Sequence, residues 1–248
     1  MYISSLDTVS IGWWDADNNT WTDKDVSEQN IDNVTKIVNF KIKKFAPVAV
    51  LLPRITDFPY TSWFLRCIGD NKAVLEVVGK RMEFRFLLEG NKMEFVDSMN
   101  IAELEHLRGL KSTPGFIVLE LKKSGILLLP EYRDADICGV TPKTAEAEEL
   151  AIFNMSLAAR TLAFCNTKWN NALGPDLVGV RWRENLEYDE TFAENDEADW
   201  NSVGFWSNKC ALMAIKESDE EVNKEIPEEH VTHLSFELAL QDNCTPAA

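Results

Sequence analysis

Three groups of side chains in this sequence have types and spacings that suit chemistry. The first interleaves cations with aromatic rings. Lys41, Lys43 and Lys44 stand beside Phe40 and Phe45, Lys80, Arg81 and Arg85 beside Phe84 and Phe86, and Arg181 and Arg183 flank Trp182. A sheet that carries cations on one face with rings nearby can track a single nucleic-acid strand, phosphates meeting Lys and Arg while bases stack on the rings. The second is Glu120-Leu121-Lys122 at the end of an apolar run, with Asp97 closing an earlier one. Two carboxylates so placed can hold Mg²⁺ while the Lys steadies an attacking water. The third is His230 and His233, beside Glu228 and Glu229. On a helix they would share a face and could ligate a metal, although a solvated acidic surface is the simpler expectation. Asp15-Ala16-Asp17 with Asp23 and Asp25 does not match a calcium-loop pattern and reads as polar turns. There is no phosphate loop, nucleophile elbow or H-E-x-x-H, and no cofactor is expected.

These groups need elements to position them. Asp17-Asn18-Asn19 marks a turn between two short strands, Ile11–Trp14 and Thr20–Trp21. Residues 25–36 suit a short amphipathic helix with Ile31 and Val34 inward. From Ile37 the period becomes two: Val38, Phe40 and Ile42 alternate with Asn39, Lys41 and Lys43. Pro47–Leu52 reads as a buried strand. Residues 73–96 read as a three-stranded meander in which Met82, Phe84, Phe86 and Leu88 share one face, followed by a short helix with Leu104 and Leu107 inward. A second hairpin is expected at Phe116–Leu121 and Ile126–Leu129. A long helix is expected from an N-cap at Thr141, with Pro142 at its first position, to about Phe164, burying Leu150, Phe153, Leu157 and Phe164. Leu177–Trp182 and Val203–Ile215 follow as strands.

The resulting expectation is α+β: a sheet or barrel rich in antiparallel hairpins and meanders, with one long central helix. Residues 1–248 form a single domain, or divide into a β-rich part (1–132) and a part carrying the helix, strands and acidic segments (140–248). The formal net charge is -16 over 248 residues. An average surface so negative repels duplex nucleic acid and anionic lipid, so any nucleic-acid site must be a local basic groove. Acids concentrate in 184–199 and 217–229, where they could meet a basic protein. Five cysteines at wide spacing, with no C-x-x-C, argue for free thiols in a reducing cytoplasm. No apolar run reaches the length of a membrane helix.

Two resemblances bear on function. The interleaved basic and aromatic strands with acidic segments are similar to phage and bacterial single-stranded DNA-binding proteins, which pair a β-barrel with an acidic tail. Here the acids are not terminal and the last residues are Thr245-Pro246-Ala247-Ala248. Glu120-Leu121-Lys122 resembles the (D/E)-x-K element of restriction-type nucleases, which implies Asp97 as the upstream carboxylate. The leading expectation is a non-enzymatic protein that binds single-stranded nucleic acid on Lys41, Lys43, Lys44, Lys80, Arg81, Arg85, Arg181, Trp182 and Arg183. The alternatives are an acidic interaction or inhibitor protein with a basic partner, and a metal-dependent nuclease using Asp97, Glu120 and Lys122. A purely structural account stands beside all three, because Phe inside and Lys in water is the pattern of any half-buried antiparallel strand.

Overall fold

The computed structural model describes residues 9–220 apart from 33, 36, 52, 54–56, 81, 100–101, 186–199, 207–208, 214–215 and 217. Arg81, His230, His233 and nearly all of both acidic runs therefore lie outside the described residues.

The start of the chain makes two small sheets. β1 (Ser10–Asp15) pairs with β2 (Thr20–Thr22) and with β5 (Val48–Leu51), and β3 (Val26–Asp32) pairs with β4 (Ile37–Ile42). The polar segment expected to be helical is thus the strand β3. Its pairing carries a bulge between Ser27 and Asn30, and Val34 is 91% exposed rather than inward. Polar alternation along a two-stranded ribbon leaves a weak signal, and pairing with β4 decides the conformation.

The meander forms as expected and is the middle of a nine-stranded antiparallel sheet. In spatial order the strands are β10 (Lys111–Ser112), β9 (Lys92–Met99), β8 (Glu83–Glu89), β7 (Lys72–Val78), β6 (Ser62–Gly69), β11 (Leu162–Asn166), β12 (Val178–Glu184), β13 (Asn201–Trp206) and β14 (Lys209–Met213). Two-residue turns join β6 to β7 and β8 to β9, with Asn71 and Gly90 in the left-handed region that such turns demand. Directly opposed residues in a ladder share a face. Phe95, Phe86, Leu75, Leu65, Phe164 and Trp182 therefore form one row across six strands.

Two helices cover that face. α1 (Pro114–Lys123) sets buried Ile117 and Leu121 into a cluster with Phe84, Phe86, Phe95, Leu104 and Leu107. α3 (Ala145–Ala158) packs Ala151 and Ala158 against Phe164, Val180, Trp182, Val203 and Phe205. A short helix, α2 (Tyr132–Cys138), lies between them in sequence. On the opposite sheet face Phe64, Ala163 and Cys165 pack with Trp200.

The architecture is therefore mostly antiparallel β with three short α-helices among the described residues, α+β in the broad sense, and without one long central helix. The second expected hairpin is α1. Its β-branched, apolar run suggested a strand, but Thr113 stands extended at the N-cap position, Pro114 is at the first position and Ile117 and Leu121 fall one turn apart on the core side. The long helix starts later and ends earlier than expected: Thr144, not Thr141, caps it by accepting a bond from the Ala147 amide, and Phe164 belongs to β11. β11 is buried on both faces, and such strands look like a continuous apolar run that periodicity cannot tell from a helix.

Candidate functional site

The cations proposed to line a groove sit on three separate elements. On the β3–β4 ribbon, Lys41 pairs with Glu28 at 2.5 Å, Lys43 with Asp25 at 4.0 Å, and the Lys44 ammonium lies 4.5 Å from the Trp13 ring centre. Lys80 occupies the exposed bend after β7, and the Arg85 Nε donates across the ladder to Glu76 at 2.8 Å. On β12, Arg181 donates to the Asn166 carbonyl at 2.8 Å, and Arg181 and Arg183 lie 5.6 and 4.8 Å from the Trp200 ring centre. Trp182 points the other way, into the core, and is 1% exposed. It cannot stack on a base. Arg85 and the β12 arginines share the back of the large sheet, but four strand spacings separate them, roughly 19 Å at about 4.8 Å each. Phe64, Ala163 and Cys165 lie between, and the carboxylates beside Lys41, Lys43 and Arg85 cancel the field a phosphate would meet.

The nuclease constellation is not assembled either. Glu120 is inside α1, where Lys123 donates to it at 2.6 Å, and Lys122 is in the last helical turn. Asp97, on β9, accepts from Arg108 at 2.8 Å. These are exposed pairs of the kind that contribute about 0–1 kcal/mol. Asp97→Ala and Glu120→Ala should each move the urea midpoint by no more than about 1 kcal/mol in stability. Asp15, offered above as a turn residue, accepts from the Asn18 side chain and from the Asp17 amide, and the Asn18 bond foremost holds its carboxyl below the usual range. Among the described residues no three His, Cys, Asp or Glu side chains gather as a metal site.

A concavity of about 370 Å³ opens where α2 meets the segment leading into α3, with Phe58, Tyr60, Pro130, Tyr132, Val140 and Lys143 on its walls. The Lys143 ammonium donates to the Asn170 carbonyl and, at 2.6 Å, to that of Gly174. Burial pushes its pKa down to about 8, with Glu148 pulling the other way. The Tyr60 hydroxyl donates to the Leu128 carbonyl, and burial, then Asp57, raises its pKa. The amine is thus a tie between the entry to α3 and the loop before β12. Lys143→Met should remove about 1–2 kcal/mol of stability at pH 7. Because the folded value lies below the ordinary 10.5, the cost of burying the charge is fully present below pH 8 and is relieved as the pH rises toward 10.5. Urea unfolding at pH 7 and 10 should therefore show wild type gaining on the Met variant, and lysine NMR should place one midpoint near 8.

The chain is similar to axonemal dynein intermediate chain 7. The bovine protein is 24% identical over 232 residues, covering 92% of this chain and 32% of the relative. The human protein is 25% identical over the same span and coverage. A homologue from the tunicate Ciona intestinalis is 22% identical over 215 residues, 84% of this chain and 28% of its own length. The chain thus spans about a third of the length of the curated relatives it matches. No family model matches it.

Similarity to a dynein chain over nearly the whole sequence overturns the reading as a single-strand nucleic-acid binder, with its phage-like associations, and the nuclease alternative with it. The expected partners change too. The relatives are dynein chains, which overturns the expectation of an oligonucleotide or of a basic protein captured by the acidic runs. What residue-by-residue reading missed is on α3. Leu150, Phe153 and Leu157 were expected inward; Leu150 does pack partly buried beside Ala151 and Ala158, but Phe153 is 60% exposed, as is Ile152 at 63%. The available signal was the alanine series at helical spacing, which competes with the larger residues for the core side.

Proposed function

We propose that this chain is part of a structural subunit of an axonemal dynein assembly, acting by protein contact in the cytoplasm and the ciliary axoneme. The observation that carries this reading is the similarity to dynein axonemal intermediate chain 7 of cattle over 92% of the chain. The molecule's chemistry agrees with it: its most prominent cations are spent on neighbouring carboxylates and rings, while large apolar side chains stand exposed on its helices. Exposed apolar surface of that kind marks protein contact.

The test is fractionation of cells that build motile cilia and express the tagged chain. The chain is expected in the demembranated axoneme, to leave it in high salt, and to co-sediment with dynein heavy chains on a sucrose gradient. Recovery only in the detergent-soluble fraction, or sedimentation as a free protein of its own mass, would remove the reading.

A further inference from the structure

α3 covers the sheet with Ala151 and Ala158, and Leu150 and Met155 pack partly buried against the same cluster. The opposite side carries Glu146, Glu149, Ile152 and Phe153, all exposed. Positions 146, 149 and 153 are three and four apart, so they line one stripe. Ile152 and Phe153 are large and exposed, and as consecutive residues they stand about 100° apart around the helix, on either side of Glu149.

The charge beside them is one-sided. Glu146 and Glu149 are exposed, and neither has an ion-pair partner among the described residues. The nearest cation in sequence, Lys143, donates to the Asn170 and Gly174 carbonyls, and Arg160, beyond the other end of the helix, pairs with Asp70 at 3.7 Å. Exposed apolar side chains on either side of an unanswered carboxylate are complementary to a second helix that presents both apolar residues and cations.

We propose that the outward face of α3 docks an amphipathic helix of a partner subunit. Its apolar stripe covers Ile152 and Phe153, and its lysine or arginine side chains align with Glu146 and Glu149. The proposal rests on the dynein-subunit reading for the setting of the partner, and names where on the chain that partner sits. It does not involve the acidic runs 184–199 and 217–229. The expected geometry is helix against helix at about 8–10 Å between axes, with Ile152 and Phe153 as anchors on either side of Glu149.

The test places a photo-reactive benzoylphenylalanine at Phe153 in the tagged full chain expressed in ciliated cells, with the same group at Lys80 as the control. A cross-link at 153 and not at 80, mapped by mass spectrometry to another polypeptide at a segment with apolar residues every three or four positions and flanking Lys or Arg, is the expected result. Phe153→Asp should lower co-sedimentation with dynein heavy chains at least tenfold while leaving the melting temperature of the purified chain unchanged. Glu146→Lys with Glu149→Lys should weaken association and flatten its salt dependence. Co-sedimentation undisturbed by Phe153→Asp, with no cross-link at 153, overturns the docking face and leaves the dynein reading standing. A cross-link to residues 221–248 of the same chain, to a second copy, or to an acidic or extended segment overturns the proposed occupant. The expected cross-link in a chain that never sediments with dynein supports the docking face and overturns the dynein reading.

Discussion

Trp182→Ala is expected to lower the stability of the folded chain by about 3–5 kcal/mol, read as a shift of the urea midpoint at unchanged slope. The indole is 1% exposed and sits opposite Phe164 in the β11–β12 ladder. α3 lies over the same cluster through Ala151 and Ala158, with Leu150 and Met155 partly buried against it. Collapse into the cavity would need the helix itself to move, and it is tied at its entry by Lys143 and at its cap by Thr144. Arg181→Ala and Arg183→Ala are the internal contrast. Their guanidinium groups lie on the other sheet face over Trp200, and each replacement should cost about 1 kcal/mol or less. Three consecutive positions should thus give small, large and small effects. A cost below about 1 kcal/mol for Trp182→Ala would mean that the ring is not in the core.

That same triplet shows how far the sequence could be read. Alternation along Val178–Glu184 announced a strand and put Arg181 and Arg183 on the face opposite Trp182. It did not say which face is covered, because that depends on α3, a neighbour by folding and not by sequence. The meander from Ala73 to Val96 was legible in full, since its turns, its period and its partners are all local. Where local and distant forces disagreed, the distant ones won. β11 was absorbed into the expected helix because its burial on both sides comes from β6, about a hundred residues earlier, and from β12. α1 was read as a strand because Phe116–Leu121 has the composition of one, and only Thr113-Pro114 and the core side of Ile117 and Leu121 argue otherwise.

Function was less legible than fold, for a related reason. Cation and aromatic residues interleaved on a strand are equally the mark of a binding groove and of a half-buried ladder. What separates the two is whether a carboxylate stands across the ladder, as Glu76 does from Arg85, and that is a matter of register between strands. Likewise Leu150, Phe153 and Leu157 could be recognised as an apolar stripe of α3, but the packing of the helix on β12 and β13 decides that Ala151, Ala158 and Leu150 face the core while Phe153 stays exposed.

Phe86→Ala should also cost about 3–5 kcal/mol, and its manner of unfolding carries more information than its size. Phe86 is fully buried, with ring centres 6.0 Å from Phe84 and 5.8 Å from Phe95, beneath Ile117 and Leu121 of α1. Its cluster and that of Trp182 stand at opposite ends of one sheet face, the first built from β7, β8, β9 and α1, the second from β11, β12, β13 and α3. Were the chain divided near residues 130–142, each cluster would belong to its own unit, and Phe86→Ala would produce an early transition that leaves the Trp182 environment intact. The join between the halves is β6 with β11, where Leu65 faces Phe164 and Phe64 faces Cys165 in the middle of the sheet. Separating them would expose Phe164 on one face and Cys165 and Ala163 on the other, all of them fully buried. The expectation is therefore one transition, with far-ultraviolet circular dichroism, tryptophan emission and the near-ultraviolet signal coincident in wild type and in both Ala variants. Two separated transitions in Phe86→Ala, with the tryptophan signal following the later one, would show that the β6–β11 ladder joins two independently stable units.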